Sequence, residues 1–210
     1  MSHYHARRDH AGRLVPIRRP SEPTQQTPWT DSDAVACFLP DGPVPSMLNS
    51  VRMAAWVPPA VDGIWEALAF VQPLHEPAFA CPVGLEPAAG VMVVEPDGRV
   101  WLAQPTNACG GVAHVVPKGS VDVGSTLIAT APRGAREELG LLVKLTSHLV
   151  DLARSATFTR YYLGNCVAGS VADVGWESQA SVLAPLAALR IMPTRPGNQA
   201  VLDAFETTRG

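Results

Sequence analysis

The sequence predicts an α/β fold: a mixed β-sheet with helices packed on its faces, preceded by a proline-rich irregular extension. Three observations carry this. Apolar runs over 88–106 flank Pro96-Asp97-Gly98, a strong hairpin signal. Strand-like runs lie on both sides of a helical segment around 126–139, the arrangement of a mixed sheet with covering helices. Most of the twenty prolines precede residue 90, and proline's fixed φ and missing N–H interrupt helices and sheets alike.

The 210 residues favour one substantial domain plus an extension. With 47% hydrophobic and 17% charged residues there is material for a packed core. A formal net charge of -3 gives no overall pull toward nucleic acid or an anionic membrane. No apolar run reaches the ~18 residues of a membrane span. No signal-peptide pattern opens the chain, so a cytoplasmic location is expected. Cys37, Cys81, Cys109 and Cys166 lie far apart, and they are expected to be reduced and mostly buried.

Three regions follow in order. Residues 1–30 carry Arg7, Arg8, Arg13, Arg18 and Arg19 against Asp9 and Glu22. They read as a flexible basic arm; a nucleic-acid contact is the competing reading, with nothing downstream to support it. Residues 31–87 read as a layer packed on the main domain. In it, "DSDAVACFL" suggests a helix capped by Asp31 or Ser32, and "VDGIWEALAFV" suggests a second one. Trp29, Trp56 and Trp65 would pack that layer down. Residues 88–210 form the main domain. After the hairpin and the helical segment come two strands, "LLVKLTSHLVDLA" and "ATFTRYYLGNCVAG", with Arg154-Ser155 between them. "ASVLAPL" is a further strand and "GNQAVLDAFE" a closing helix.

The informative stretch is "PKGSVDVGSTLIATAPRGAREELGL", Pro117 to Leu141. Against the pattern G-x5-E-x7-R-E-U-x-E-E-x-G-U, with U a bulky aliphatic residue, Gly119, Arg133, Glu137, Glu138, Gly140 and Leu141 match in register. Ser125 and Gly134 stand where glutamates belong, and Ala135 is a weak U. The chain therefore resembles the Nudix hydrolases over roughly residues 88–206. The resemblance implies an α/β/α sandwich and cleavage of a diphosphate joined to another moiety. The expected substrate is a nucleotide-type small molecule, ADP-ribose-like or dinucleotide. Homodimers are common in the family.

The resemblance also implies a divalent cation, Mg²⁺ (or Mn²⁺), that clamps phosphate oxygens and activates water. Such cations favour hard oxygen ligands. The implied ligands are the Gly119 carbonyl, Glu138 and Glu137, with Glu177 as a further acid from outside the motif. Glu137, Glu138 and Arg133 form the implied catalytic set. Lys118 would sit near the phosphates. Arg160 or Tyr162, on one face of their strand, could reach the pocket, although core packing is the competing role for the tyrosine. Trp176 is either a base-stacking group or a structural aromatic. Asn107 and His114 flank the loop before the motif; His114 reads as a satisfied strand histidine.

The departures matter. Gly134 offers no carboxylate, and Ser125 removes the acid that pairs with the motif arginine, leaving Arg133 to turn to Glu137. Pro132 costs a helix interior ~3 kcal/mol, so the helix is expected either to kink or to start late with Thr130 as N-cap. Two readings follow: a hydrolase of reduced activity, and a module that binds a nucleotide or protein partner without hydrolysis. On the first, Gly134→Glu with Ser125→Glu would raise Mg²⁺ binding and activity.

Overall fold

The computed structural model describes residues 3–17, 27–40, 42–61, 63–71, 74–106, 114–194 and 196–209. Asn107 and the loop at Gly110-Gly111, with Cys109, Arg18 and Arg19, lie outside the described residues.

Two short strands, β1 (His3–Tyr4) and β2 (Pro16–Ile17), make an antiparallel hairpin near the N-terminus. Asp9 organises its turn, accepting from the Ala11 and Arg13 amides at 2.9 and 2.8 Å. The segment that composition suggests is a free arm is thus folded over residues 3–17. Helix α1 (Thr27–Thr30) follows, and then strand β3 (Ala36–Phe38). This corrects the helix expected over "DSDAVACFL". Asp31 caps a turn instead, accepting from the Asp33 amide at 2.9 Å. Ala36 and Phe38 are buried, and the segment satisfies its backbone on a sheet edge, which overrides local propensity. A small hairpin of β4 (Met47–Leu48) and β5 (Val51–Arg52) precedes helix α2 (Ile64–Phe70), the second expected helix.

The main sheet is built from β6 (Glu86–Val94), β7 (Val100–Pro105), β8 (Lys118–Ser120), β9 (Leu141–Ala153), β10 (Thr157–Gly169) and β11 (Ser178–Ala184), joined by β3. The strand order is β3-β11-β7-β6-β10-β9, with β8 paired to the first half of β6. Only β10 and β6 run parallel; the other pairs are antiparallel. The central β6 is apolar along most of its length because both faces are covered. One core contains Val91, Val93, Trp101 and Leu139; the other contains Met92, Leu102, Tyr161 and Phe205. The fold is a mixed α/β sheet with helices on both faces, as the sequence predicts.

Helix α3 (Leu127–Leu139) covers one face, while α4 (Leu186–Leu189) and α5 (Pro196–Thr207) pack on the other. α3 starts early. Thr126 is its N-cap, accepting from the Ala129 amide at 3.2 Å. Thr130 lies inside the helix and donates back to the Thr126 carbonyl at 2.8 Å. Pro132 is accommodated within the helix, where the packing of Ala129, Ala131, Ala135 and Leu139 on the sheet offsets its lost hydrogen bond. Gly140 ends α3 with φ 75°, a left-handed geometry that favours glycine.

Candidate active site

Strand β8 and helix α3 bring the motif together. β8 presents Lys118 and Gly119 beside the buried face of α3, and the Lys118 amide donates to Glu138 Oε2 at 3.3 Å. Glu138 is half-buried and Glu137 is exposed. Glu177 enters from the loop just before β11, where the Thr106 amide donates to its carbonyl at 2.7 Å. Trp176 is fixed alongside by Thr106 Oγ1, which donates to its carbonyl at 2.7 Å.

Two cavities meet at Trp176 and Glu177. The smaller, about 250 Å³, is lined by Lys118, Glu138, Arg154, Tyr161 and Asn198 as well. The larger, about 530 Å³, adds Glu137, Arg136, Trp65 and residues of the N-terminal hairpin. Glu137, Glu138 and Glu177 thus border one cleft, although they come from helix α3 and a separate loop.

These acids repel one another. Burial pushes the Glu138 carboxyl up to about 8; Lys118 pulls it back, and Glu177 and Glu137 push it further. Partial desolvation also raises Glu137 despite its exposed surface; Arg133 opposes this, while Glu177 and Asp122 reinforce it. Among the described residues, no three His, Cys, Asp or Glu side chains are arranged to hold one metal ion. Mg²⁺, however, often keeps several waters and takes only one or two carboxylates plus substrate phosphates. Glu138 with one neighbouring acid fits that mode. The oxygen-only donor set and the mutual repulsion both suit a hard dication.

The gaps in the motif are met in ways the sequence does not announce. Arg133 pairs with Asp122 and donates to the Ser120 carbonyl at 2.9 Å; it does not bond to Glu137. Ser125 donates to Glu66 Oε1 at 2.6 Å, so α2 places a carboxylate beside the position where the motif expects one. Gly134 is required by packing. A Cβ there would lie 2.9 Å from the Lys118 carbonyl carbon and 3.0 Å from the Gly119 nitrogen. Adding a glutamate at 134 would drive α3 off β8, which overturns the expectation that Gly134→Glu restores the site.

Arg160 is also corrected. It is buried and pairs with Asp151 at 2.7 Å and Glu76 at 3.2 Å, and it donates to the Pro77 carbonyl at 2.9 Å. It ties residues 76–78 to β10 and lines neither cavity. Tyr162, on the same face, donates to Glu76 Oε2 at 2.6 Å. The opposite face of β10 supplies a further pocket residue, Tyr161. Its hydroxyl accepts from Arg154 at 2.7 Å. Arg154 reads in sequence only as a turn residue; in the fold it also donates to the Gly197 carbonyl at 3.0 Å and borders the smaller cavity. Strand alternation could have found Tyr161, but no local signal marks Arg154. His114 is buried beside the Pro193 carbonyl at 3.1 Å, and burial lowers its pKa, as suits a structural histidine.

The family described as the NUDIX domain matches residues 84–194, more than half of the chain. An RNA pyrophosphohydrolase of Novosphingobium aromaticivorans is 35% identical over a 74-residue alignment, with 31% of this chain covered. The match spans 46% of that relative, less than half its length. A NUDIX hydrolase from Nitrosomonas europaea superposes with a TM-score of 0.53 at 11% identity, covering 59% of this chain and 90% of that one. At that identity the likeness concerns the fold alone. The protein belongs to the Nudix family, and the cleft between β8, α3 and the Glu177 loop carries its motif.

Proposed function

We propose that the protein is a divalent-metal pyrophosphohydrolase that cleaves the diphosphate of a nucleoside diphosphate derivative, ADP-ribose-like or dinucleotide. The carrying observation is the convergence of Glu138, Glu137 and Glu177 with Lys118 on one cleft. Bound Mg²⁺ or Mn²⁺ would neutralise phosphate charge and lower the pKa of an attacking water. Glu138, with Glu137, Glu177 and the Gly119 carbonyl, would hold it. Lys118, which lines the smaller cavity, would face the phosphates. Arg133, fixed by Asp122 and Ser120, holds the loop after β8 against α3 and so orients the two glutamates. In this role it acts on positioning and does not touch substrate. Trp176 forms a wall of the substrate cleft. Residues 31–87 act as a built-in extension of this domain, and a cytoplasmic location and a homodimer belong to the same proposal.

Hydrolysis of ADP-ribose, NADH, dinucleoside polyphosphates, nucleoside triphosphates and 5′-triphosphorylated RNA is the test, with Mg²⁺ or Mn²⁺ and Glu138→Gln as control. Turnover lost in the control is expected. Turnover that persists in the control would refute the assignment of Glu138. A second reading is favoured by Gly134, whose contact with the Lys118-Gly119 backbone leaves no room for a further acid. On it the cleft binds nucleotide without cleaving it. Ligand binding by calorimetry with no turnover on any substrate would select that reading.

A further inference from the structure

The larger cavity is not made by the motif domain alone. One wall is Trp176, Gly175 and Glu137; the facing wall comes from the extension, through Val57, Pro58 and Trp65. The N-terminal hairpin closes one side with Arg7 and His10. The construction is deliberate in its contacts. Arg7 pairs with Asp173, which also pairs with Arg136, and Arg136 donates to the Trp56 carbonyl at 2.9 Å. The His10 ring meets Trp176 edge-on, with centroids 5.2 Å apart. Trp65 is held by Trp56 at 5.9 Å.

The chemistry of this lobe differs from that of its neighbour. The smaller cavity has Lys118 and Arg154 and suits anionic groups. In the larger lobe the two arginines both face Asp173, and Glu137 and Glu177 stand at its edge. That balance offers little to a free phosphate. What remains are aromatic rings and an apolar floor, in a volume of about 530 Å³. This is within the usual range of small-ligand pockets, roughly 300–1,000 Å³. Aromatic side chains accept any nucleobase by stacking.

We propose that this lobe is the base-binding subsite, so that the extension supplies the substrate's aromatic recognition. The inference rests on the proposed function and deepens it. A nucleoside diphosphate derivative would lie with its base between the extension and Trp176. Its diphosphate would cross the acids shared by the two cavities, and its far moiety would enter the Lys118–Arg154 side. The base is the discriminating element; the diphosphate binds alike whatever the base.

Equilibrium binding of ADP, GDP and UDP against inorganic pyrophosphate tests this, by calorimetry on the full chain with Ca²⁺ present. Trp65→Ala should weaken the best-bound nucleotide about tenfold or more and leave pyrophosphate unchanged, the size expected for one lost base stack. Trp65→Phe should restore most of the affinity. Val57→Glu keeps the fold, because Val57 is 77% exposed, and should give the same selective loss by charging the apolar floor. Equal weakening of nucleotide and pyrophosphate, no change in nucleotide affinity, or no nucleotide bound more tightly than pyrophosphate by the wild type would each overturn the proposal. Turnover is read separately. A protein that binds bases selectively through Trp65 but hydrolyses nothing would refute the hydrolase reading and leave the subsite standing.

Discussion

Replacing Glu138 by Gln should stabilise the metal-free protein, increasingly so as the pH rises. The half-buried Glu138 carboxyl is held at about 8 against an ordinary value of 4.5. Between those values the folded chain keeps a proton that the unfolded chain has released. The native state therefore loses stability as pH climbs through this window. Glutamine has no charge to desolvate, and its side-chain oxygen can still accept from the Lys118 amide. At ~1.4 kcal/mol per pH unit, the interval from 4.5 to neutrality amounts to about 3 kcal/mol. For a chain of this size that is roughly 6–12 °C in Tm at pH 7, and under ~3 °C at pH 5. Thermal unfolding in chelator at pH 5, 7 and 8 reads the gap directly. Adding Mg²⁺ should then raise the wild-type Tm more than that of the variant, because only wild type keeps the full acid set. A gap that is constant with pH, or that favours wild type at pH 7, would refute the reasoning.

Other outcomes follow from single contacts. Gly134→Ala should destabilise by about 1–3 kcal/mol in denaturant unfolding, and Gly134→Glu by more, with no gain in Mg²⁺ affinity by calorimetry. Ser125→Ala and Glu66→Ala should each cost about 1 kcal/mol, and the double variant clearly less than twice that, since both remove one hydrogen bond. Arg160→Ala should cost about 3–5 kcal/mol by leaving Asp151 and Glu76 without their buried partner. Its KM for any substrate turned over should stay within about twofold of wild type, because Arg160 lines neither cavity.

The sheet was largely legible from sequence because its signals are local. Pro96-Asp97-Gly98 marks its hairpin, and the runs that became β9 and β10 are long and rich in apolar residues. The exception is instructive. β3 exists because β11 offers an open edge, a fact that nothing in "DSDAVACFL" encodes. At the site, the helical segment expected around 126–139, which carries Arg133, Glu137 and Glu138, became α3, whereas the short β8 that holds Gly119 had no signal of its own. What failed to show was everything decided by distance across the fold. Gly134 looks like a lost acid until the Lys118 backbone is found against it. Arg160 looks like a substrate ligand until Asp151 and Glu76 are found around it. Arg154 and Tyr161 meet only because β9 and β10 turn back on each other.

The bond from Ser125 to Glu66 has a consequence for modularity. The stretch that carries the family pattern begins at residue 84, yet the loop leading into its helix is fastened to a side chain that precedes that boundary. β3 and the Trp56 carbonyl, also upstream, complete the sheet edge and hold Arg136, the neighbour of Glu137. The motif is thus not a cassette that could be lifted out or grafted elsewhere. A change in residues 36–66 would be transmitted to the glutamates without altering a single letter of the motif, so divergence in that upstream segment offers this protein a route to retune its chemistry.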